Sequence, residues 1–129
     1  MELKKIRVDY IYKKIKKEVL IMKQLTIIEQ GVLELISRDI EHPTKCSYIS
    51  EVLHIDKRSI RAIIVNLIKK GVPIVASRGT GSIASGYYIP STKEELEKGL
   101  LPLKSQAREM QERISNLYEI DIHTWQKAE

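Results

Sequence analysis

The residues best suited to chemistry lie in one short basic segment, residues 57–70. Arg58 and Arg61 carry planar guanidinium groups, and each can hold a guanine through two hydrogen bonds to its major-groove edge. Asn66 can make the same kind of paired contact with an adenine. Lys57 and Lys69 add charges that suit phosphate oxygens, and Ser59 is a further predicted DNA contact. The chemistry that these residue types favour is therefore non-covalent recognition of a nucleic acid.

The apolar residues of this segment have the spacing of one helical face. At 100° per residue, one buried stripe contains Ile60, Ile63, Ile64 and Leu67. The opposite, outward stripe contains Arg58, Ala62, Val65 and Lys69, with Arg61 and Asn66 on its flanks. Exposed Ala62 and Val65 can touch thymine methyl groups and let the helix approach the bases closely. The alternative for Val65 is packing against a following hairpin or against a partner.

Capping residues on either side predict a helix–turn–helix. Ser47 is expected to cap a first short helix, and Asp56 caps a second helix with Ser59 three residues further on. His54 stands between the two helices and is interpreted as the turn residue. Gly71 occupies the position of a left-handed C-terminal cap for the second helix.

A β-hairpin is predicted directly after this pair of helices. Its strands are expected over 72–76 and 87–89, with Tyr88 nearer the core than Tyr87. The loop 77–86 between them carries three side chains that can reach DNA, namely Arg78, Thr80 and Ser82. Hydroxyl groups suit phosphates, and an arginine suits a narrow minor groove. The alternative is a flexible hairpin tip that makes no contact.

Helices are predicted on both flanks of this unit. Residues 1–25 form a basic amphipathic helix with an apolar stripe from Ile11 to Met22. Residues 26–90 hold the central unit, which starts with a helix capped by Thr26 and running to about Arg38. A short strand over 44–46 is expected to pair with the hairpin.

The last segment, residues 91–129, is predicted to be a helical extension that Pro102 interrupts. Its final helix has a heptad-like apolar seam between Leu103 and Leu117, which we regard as too short to form a coiled coil alone. The seam and the N-terminal stripe are both candidate dimer interfaces, and packing within the chain is the alternative for each. The fold class predicted for the whole chain is mainly α with a small β-hairpin.

Residues 26–90 resemble the winged helix-turn-helix superfamily, and the nearest subtype has the wing of biotin-operon repressors. Such domains usually read S-x-x-x-V-x-x-A-I-x-x-L-x-x-x-G through the second helix. Here Asp56 stands for the Ser, Ile60 for the Val and Ile63 for the Ala, and the spacing to Gly71 agrees. The larger Ile63 departs from the pattern where two helices meet. The resemblance also rests on Ile49, Leu53, Ile55, Ile64, Leu67, Pro73-Ile74, Arg78-Gly79 and Gly86-Tyr87.

This resemblance implies a winged core and DNA binding, with a helix over 57–70 in the major groove and a wing over 77–86 beside it. A weaker likeness is to small replication or regulatory proteins of phages and plasmids. The weaker likeness concerns the overall layout of the chain, whereas the winged resemblance does not extend to the flanking helices.

Positive charge is concentrated in two parts of a chain whose net charge is +5. Residues 1–25 contain eight basic and three acidic side chains, and residues 42–90 contain seven basic and two acidic ones. The other two segments are net acidic. Phosphate backbones attract such patches, although a solvated basic surface is the plainer interpretation.

Several other classes of protein are disfavoured by the sequence. The glycines at 79, 81 and 86 match neither a P-loop nor a dinucleotide fingerprint. His42, Cys46 and His54 lack metal-ligand spacing, and no catalytic set is recognisable. We therefore expect no enzyme activity, no cofactor and no metal. A single cysteine, together with the absence of a long apolar run, favours a cytoplasmic protein outside membranes.

The sequence thus predicts a sequence-specific binder of double-stranded DNA, acting as a transcription regulator or a replication-control factor and expected to be a homodimer. A protein partner can also bind through the C-terminal helix. The alternatives are a winged-helix adaptor in a replication or anti-host complex, and general coating of nucleic acid by the lysine-rich N-terminal segment.

Overall fold

Helices make up most of the chain in the computed structural model, which describes residues 2–79 and 85–127. Within these ranges, the α-helices are α1 (Glu2–Lys23), α2 (Ile27–Leu35), α3 (Cys46–Leu53), α4 (Lys57–Lys69) and α5 (Lys93–Glu119). The strands β1 (Val75–Ser77) and β2 (Gly86–Tyr88) form an antiparallel sheet, and a 3-10 helix spans Trp125–Lys127. The predicted class, mainly α with a small antiparallel sheet, is confirmed.

The chain divides into two compact units, Met1–Ser91 and Thr92–Glu129. The core of the first unit lies between α2, α3, α4 and the sheet. Its most completely buried side chains are Val32, Ile49, Ile60, Leu67 and Tyr88. Burying an aliphatic side chain of this size contributes about 1.5–3 kcal/mol relative to leaving it in water. This core fixes α4 by one face and leaves the other face to the surface.

Helix α2 begins as predicted, because Thr26 caps it. The Thr26 hydroxyl accepts the backbone N–H of Glu29 at 3.1 Å, and the Glu29 carboxylate accepts the N–H of Thr26 at 2.9 Å. This reciprocal pair is a capping box, and it satisfies two backbone donors that the helix itself leaves unpaired.

The predicted end of α2 at Arg38 is wrong, because the helix stops at Leu35. Ser37 has left the helix and pairs with the chain just after β2, since its carbonyl accepts the N–H of Ile89 at 2.8 Å. Its own N–H donates to the Thr44 hydroxyl at 2.9 Å. These longer-range partners outcompete the continuation of the helix.

Helix α3 begins at Cys46, so the predicted cap at Ser47 is wrong. The N-cap is Lys45, which makes no side-chain hydrogen bond to the helix. The reason lies one residue earlier, where Thr44 exchanges two backbone hydrogen bonds with Tyr87 at 2.8 and 2.7 Å. That bridge ends the extended chain and starts the helix directly after it. It also reduces the strand expected over 44–46 to Thr44 alone.

The turn between α3 and α4 has the predicted features. His54 has a left-handed backbone with φ 55° and closes α3. Asp56 then caps α4, because its carboxylate accepts the N–H of Ser59 at 3.0 Å. At the other end Gly71 has φ 105°, and the N–H of Val72 reaches back to the carbonyl of Leu67 at 3.0 Å. This closure satisfies carbonyls that the last turn leaves unpaired.

The two strands pair with Val75 opposite Tyr88 and Ser77 opposite Gly86. Both strands are short. β1 begins later than the predicted span 72–76, and β2 begins earlier than the predicted span 87–89. The first residues after α4 are used to close the helix instead. Tyr88 is buried while Tyr87 is half-buried, as predicted.

In the second unit, the predicted interruption at Pro102 is wrong, because α5 runs through it from Lys93 to Glu119. Proline removes one helical hydrogen bond, here to the carbonyl of Lys98, and its ring crowds the preceding turn. Lys98 is exposed, so water can satisfy that carbonyl and the helix tolerates the proline. None of the residues of α5 is buried.

Helix α1 is joined to the core of the first unit at its C-terminal end. Ile21 packs against the core and Leu25 is buried just after the helix, whereas the apolar side chains from Val8 to Val19 are exposed. No helix within the described ranges is long and apolar enough to cross a lipid bilayer.

Candidate nucleic-acid interface

The outward side of α4 is an exposed stripe on the first unit. Its exposed members are Lys57, Arg58, Arg61, Ala62, Val65, Asn66 and Lys69. Val65 retains 50% of its accessible surface although it is β-branched and apolar. On the opposite side Ile60, Ile64 and Leu67 are buried and Ile63 is half-buried. The core therefore holds the helix rigidly while the predicted contact residues face solvent.

Ser59 differs from the other predicted contact residues because it belongs to the helix cap. Its hydroxyl donates to the Asp56 carboxylate at 2.7 Å, and its N–H donates to the same group. These hydrogen bonds hold the pKa of Asp56 below its ordinary value. The cap thus keeps a carboxylate at the start of α4, where it stabilises the helix.

A groove of about 360 Å³ lies between the N-terminal end of α3, the first half of α4 and the sheet. Its lining consists of Lys45, Cys46, Ser47, Lys57, Arg61, Ala76, Ser77, Ser85, Gly86 and Tyr87. Three of these side chains are cationic and none is acidic. The groove continues the exposed stripe of α4 through Lys57 and Arg61, which belong to both surfaces.

The start of α3 adds to the positive character of this groove. The first N–H groups of a helix carry partial positive charge and attract anions. Here Lys45 provides no side-chain acceptor for them, and its own charge lines the same groove. Sequence reasoning assigned Ser47 to the cap and did not connect Lys45 with Arg61. The link is made by the bridge between Thr44 and Tyr87, which depends on tertiary pairing.

Tyr87 lines the groove together with Arg61. Burial raises the pKa of the Tyr87 phenol, and the Cys46 thiol acts in the same direction. The positive charge of Arg61 opposes that rise. Tyr87, Cys46 and Arg61 therefore form adjoining parts of the groove lining.

No family model, curated protein or solved structure matches this chain. The functional assignment therefore rests on residues and geometry.

The loop predicted over 77–86 lies only in part within the described residues. Arg78 is exposed and lies just after β1. Thr80 and Ser82, the other predicted loop contacts, lie outside the described residues. Ser85 and Ser77 flank that part of the chain and line the groove.

Two further observations bear on other kinds of site. Among the described residues, no three His, Cys, Asp or Glu side chains come close enough to hold a metal ion. A second cavity, of about 500 Å³, lies where Lys14 and Glu18 of α1 approach Gly71 and Arg38. It is at the C-terminal end of α4, and neither Arg58 nor Arg61 lines it.

Proposed function

We propose that the first unit is a winged helix-turn-helix that binds double-stranded DNA sequence-specifically, in the cytoplasm, as a transcription regulator or a replication-control factor. Helix α4 enters the major groove, and the hairpin residues 77–86 act as the wing on the adjacent backbone or minor groove. The observation that carries this proposal is the exposed stripe of α4 running directly into a groove lined by Lys45, Lys57 and Arg61.

Base reading is assigned to the first half of α4. Recognition helices make most base contacts from their N-terminal turns, where Arg58 and Arg61 lie. Ala62 is small enough to let the backbone approach a base pair, and Val65 meets a thymine methyl group. Asn66 reads an adenine from the flank.

Phosphate binding is assigned to the rim of the same surface. Lys45, Lys57 and the first N–H groups of α3 face one strand of the backbone across the groove. Lys69 and Arg78 extend the contact at either side. Such contacts fix the position of a protein on the duplex without reading its sequence.

The test begins with selection of bound fragments from a random duplex pool by the purified chain. Competition at fixed salt then compares the selected duplex with a scrambled one of the same composition. Arg61→Ala is expected to cost about 1–3 kcal/mol of discrimination, roughly 5- to 150-fold, because one bidentate base contact is lost. Arg108→Ala, at an exposed position in α5, is the matched control and is expected to leave discrimination unchanged.

A second candidate is a protein-interaction adaptor, because Val65 and Ile68 are both about half exposed on α4, at 50% and 48%. An adaptor would show neither sequence preference nor salt dependence in the same experiment. General coating of nucleic acid would show a steep salt dependence without preference for the selected duplex. Unchanged preference after Arg61→Ala would contradict the assignment of α4 as the reading helix.

A further inference from the structure

A heptad seam on α5 is longer than the sequence predicted. Because the helix passes through Pro102, the apolar repeat from 103 to 117 continues backwards to Leu96 and Leu100. The complete seam is Leu96, Leu100, Leu103, Ala107, Met110, Ile114 and Leu117. Its intervals alternate between four and three residues over three heptads, which is the spacing of a coiled-coil interface.

This seam is uncovered along most of its length. Leu103, Met110, Ile114 and Leu117 keep between 46% and 60% of their accessible surface, and no residue of α5 is buried. Helices in proteins gain most of their stability by packing such a face against another element. Pro102 occupies an outward heptad position next to Leu103, so it does not obstruct the seam.

The sizes of the seam residues decide what covers it. In a parallel pair of α5 helices, Ala107 would face Ala107 of the second copy and leave a gap between larger layers, which destabilises packing. In an antiparallel pair centred between 107 and 110, Ala107 instead faces Met110 of the second copy. The next layers then pair Leu103 with Ile114 and Leu100 with Leu117, while Leu96 lies beyond the end of the facing helix. Every layer contains at least one large side chain, so the seam is complementary to itself.

The flanking charges allow the same arrangement. In an antiparallel pair, Lys104 faces Gln111 of the second copy and Gln106 faces Arg113, while Glu97 faces Tyr118. No like charges meet. Lys104 is also 3.3 Å from Glu97 on its own helix, which reduces its net field on that flank.

We propose that the α5 seam is the interface of an antiparallel homodimer, in which a second copy of this chain supplies the facing helix. The two α5 N-termini, to which the first units are attached, then lie roughly 46 Å apart along the pair at 1.5 Å per residue. A parallel pair would place them side by side. The dimer thereby sets the distance between the points from which its two first units extend.

Mass measurement tests the interface without DNA, so its outcome is independent of the proposed DNA binding. The full chain is expected at twice 14.9 kDa by sedimentation equilibrium. Leu103→Glu buries a charge in the seam and is expected to weaken association more than about a hundredfold. Leu101→Glu is the matched control, because Leu101 has the same 60% exposure but lies outside the seam. A monomer before substitution, or equal effects of the two variants, would overturn the proposal.

Thiol cross-linking decides the orientation in a Cys46→Ser background, with helicity checked by circular dichroism. Leu100→Cys and Leu117→Cys are made as separate variants. The antiparallel pair predicts disulfide-linked dimers after oxidation only when the two variants are mixed, because each introduced thiol is roughly 25 Å from its own copy. Cross-linking of either variant alone indicates a parallel pair, and absence of cross-linking in the mixture removes the seam as an interface. Either result refutes the antiparallel dimer.

Discussion

Glu29 joins the start of α2 to the end of α4. Its carboxylate accepts a hydrogen bond from the Lys70 ammonium at 2.6 Å as well as the N–H of Thr26. The same ammonium donates to the carbonyl of Gln24 at 3.1 Å. Glu29 is also the one buried charged side chain among the described residues. The pair therefore anchors the C-terminal end of α4 while its N-terminal half remains available for contacts.

This anchor predicts a pH-dependent contribution to stability. The hydrogen bond from Lys70, followed by that from the backbone of Thr26, holds the pKa of Glu29 below its ordinary value of 4.5. A lowered folded-state pKa contributes stability that is complete above the unfolded-state value and is lost as the pH falls through the folded-state value. Glu29→Gln is therefore expected to lower the free energy of unfolding near pH 7, and the deficit should shrink below about pH 4.5.

Urea unfolding of both chains between pH 7 and pH 3 measures this difference. Glu34→Gln, which changes an exposed carboxylate on the same helix, is the control and should follow the natural chain throughout. A constant gap between Glu29→Gln and the natural chain at every pH would contradict the assigned linkage.

Individual residues were predictable where their partners are close in sequence. The caps at Thr26 and Asp56 each act over three residues, and strand alternation places Tyr87 and Tyr88 on opposite faces, so that one of them belongs to the core. The pair of Glu29 with Lys70 spans 41 residues. No local pattern marks it, because it exists only after two helices have packed together.

Alanine substitutions at two glycines within the secondary structure are expected to change folding stability in opposite directions. At Gly86 in β2, an added Cβ would lie 2.6 Å from the carbonyl oxygen of Thr44, which is backbone and cannot move aside. At Gly31 in α2, an added Cβ would lie 3.7 Å from the side chain of Leu53, an ordinary contact. Gly86→Ala is expected to destabilise the fold by about 1–3 kcal/mol through overpacking. Gly31→Ala is expected to stabilise it by roughly 0.5–1 kcal/mol because alanine suits a helix interior.

Chemical denaturation of the two variants against the natural chain measures both effects. Because the substitution is the same, the pair separates local geometry from a general effect of alanine. Equal shifts in the same direction would refute the close approach of β2 to Thr44.

The elements themselves were predicted in order, but some of their boundaries were not. The type of each helix in the first unit follows from its apolar period, and the starts of α2 and α4 also follow from their caps. The end of α2 and the start of α3 are set instead by pairing of Ser37 and Thr44 with the chain around β2, which is about 45 residues away. The groove beside Arg61 depends on that same pairing, so Lys45 was not recognised as a member of the candidate site. The rule that proline ends helices failed at Pro102, where the carbonyl that loses its hydrogen bond belongs to the exposed residue Lys98.

At the scale of the whole chain, the two basic segments occupy different places. Lys45, Lys57 and Arg61 line the groove at the N-terminal end of α4. The C-terminal end of α1 is tied to the opposite end of α4, where Lys70 donates to Gln24. No residue of α1 lines the groove beside Arg61. The two concentrations of positive charge in the sequence therefore lie in different places, and only that of residues 42–90 lines the groove.

Glutamine substitutions distinguish the contribution of the groove lysines from that of the α1 lysines. Replacing Lys45 and Lys57 removes two phosphate contacts and is expected to reduce the slope of log affinity against log salt by about 1.8, at 0.9 per contact. The second variant replaces four lysines of α1, namely Lys13, Lys14, Lys16 and Lys17. It is expected to associate with DNA more slowly, because the long-range electrostatic field is weakened. Its preference for the selected duplex over the scrambled one is expected to be preserved. Titrations at several salt concentrations give the slope, and competition gives the preference. If the α1 variant loses its preference while the Lys45 and Lys57 variant keeps its slope, α1 rather than the groove contacts the DNA, and the reading surface has been placed at the wrong end of α4.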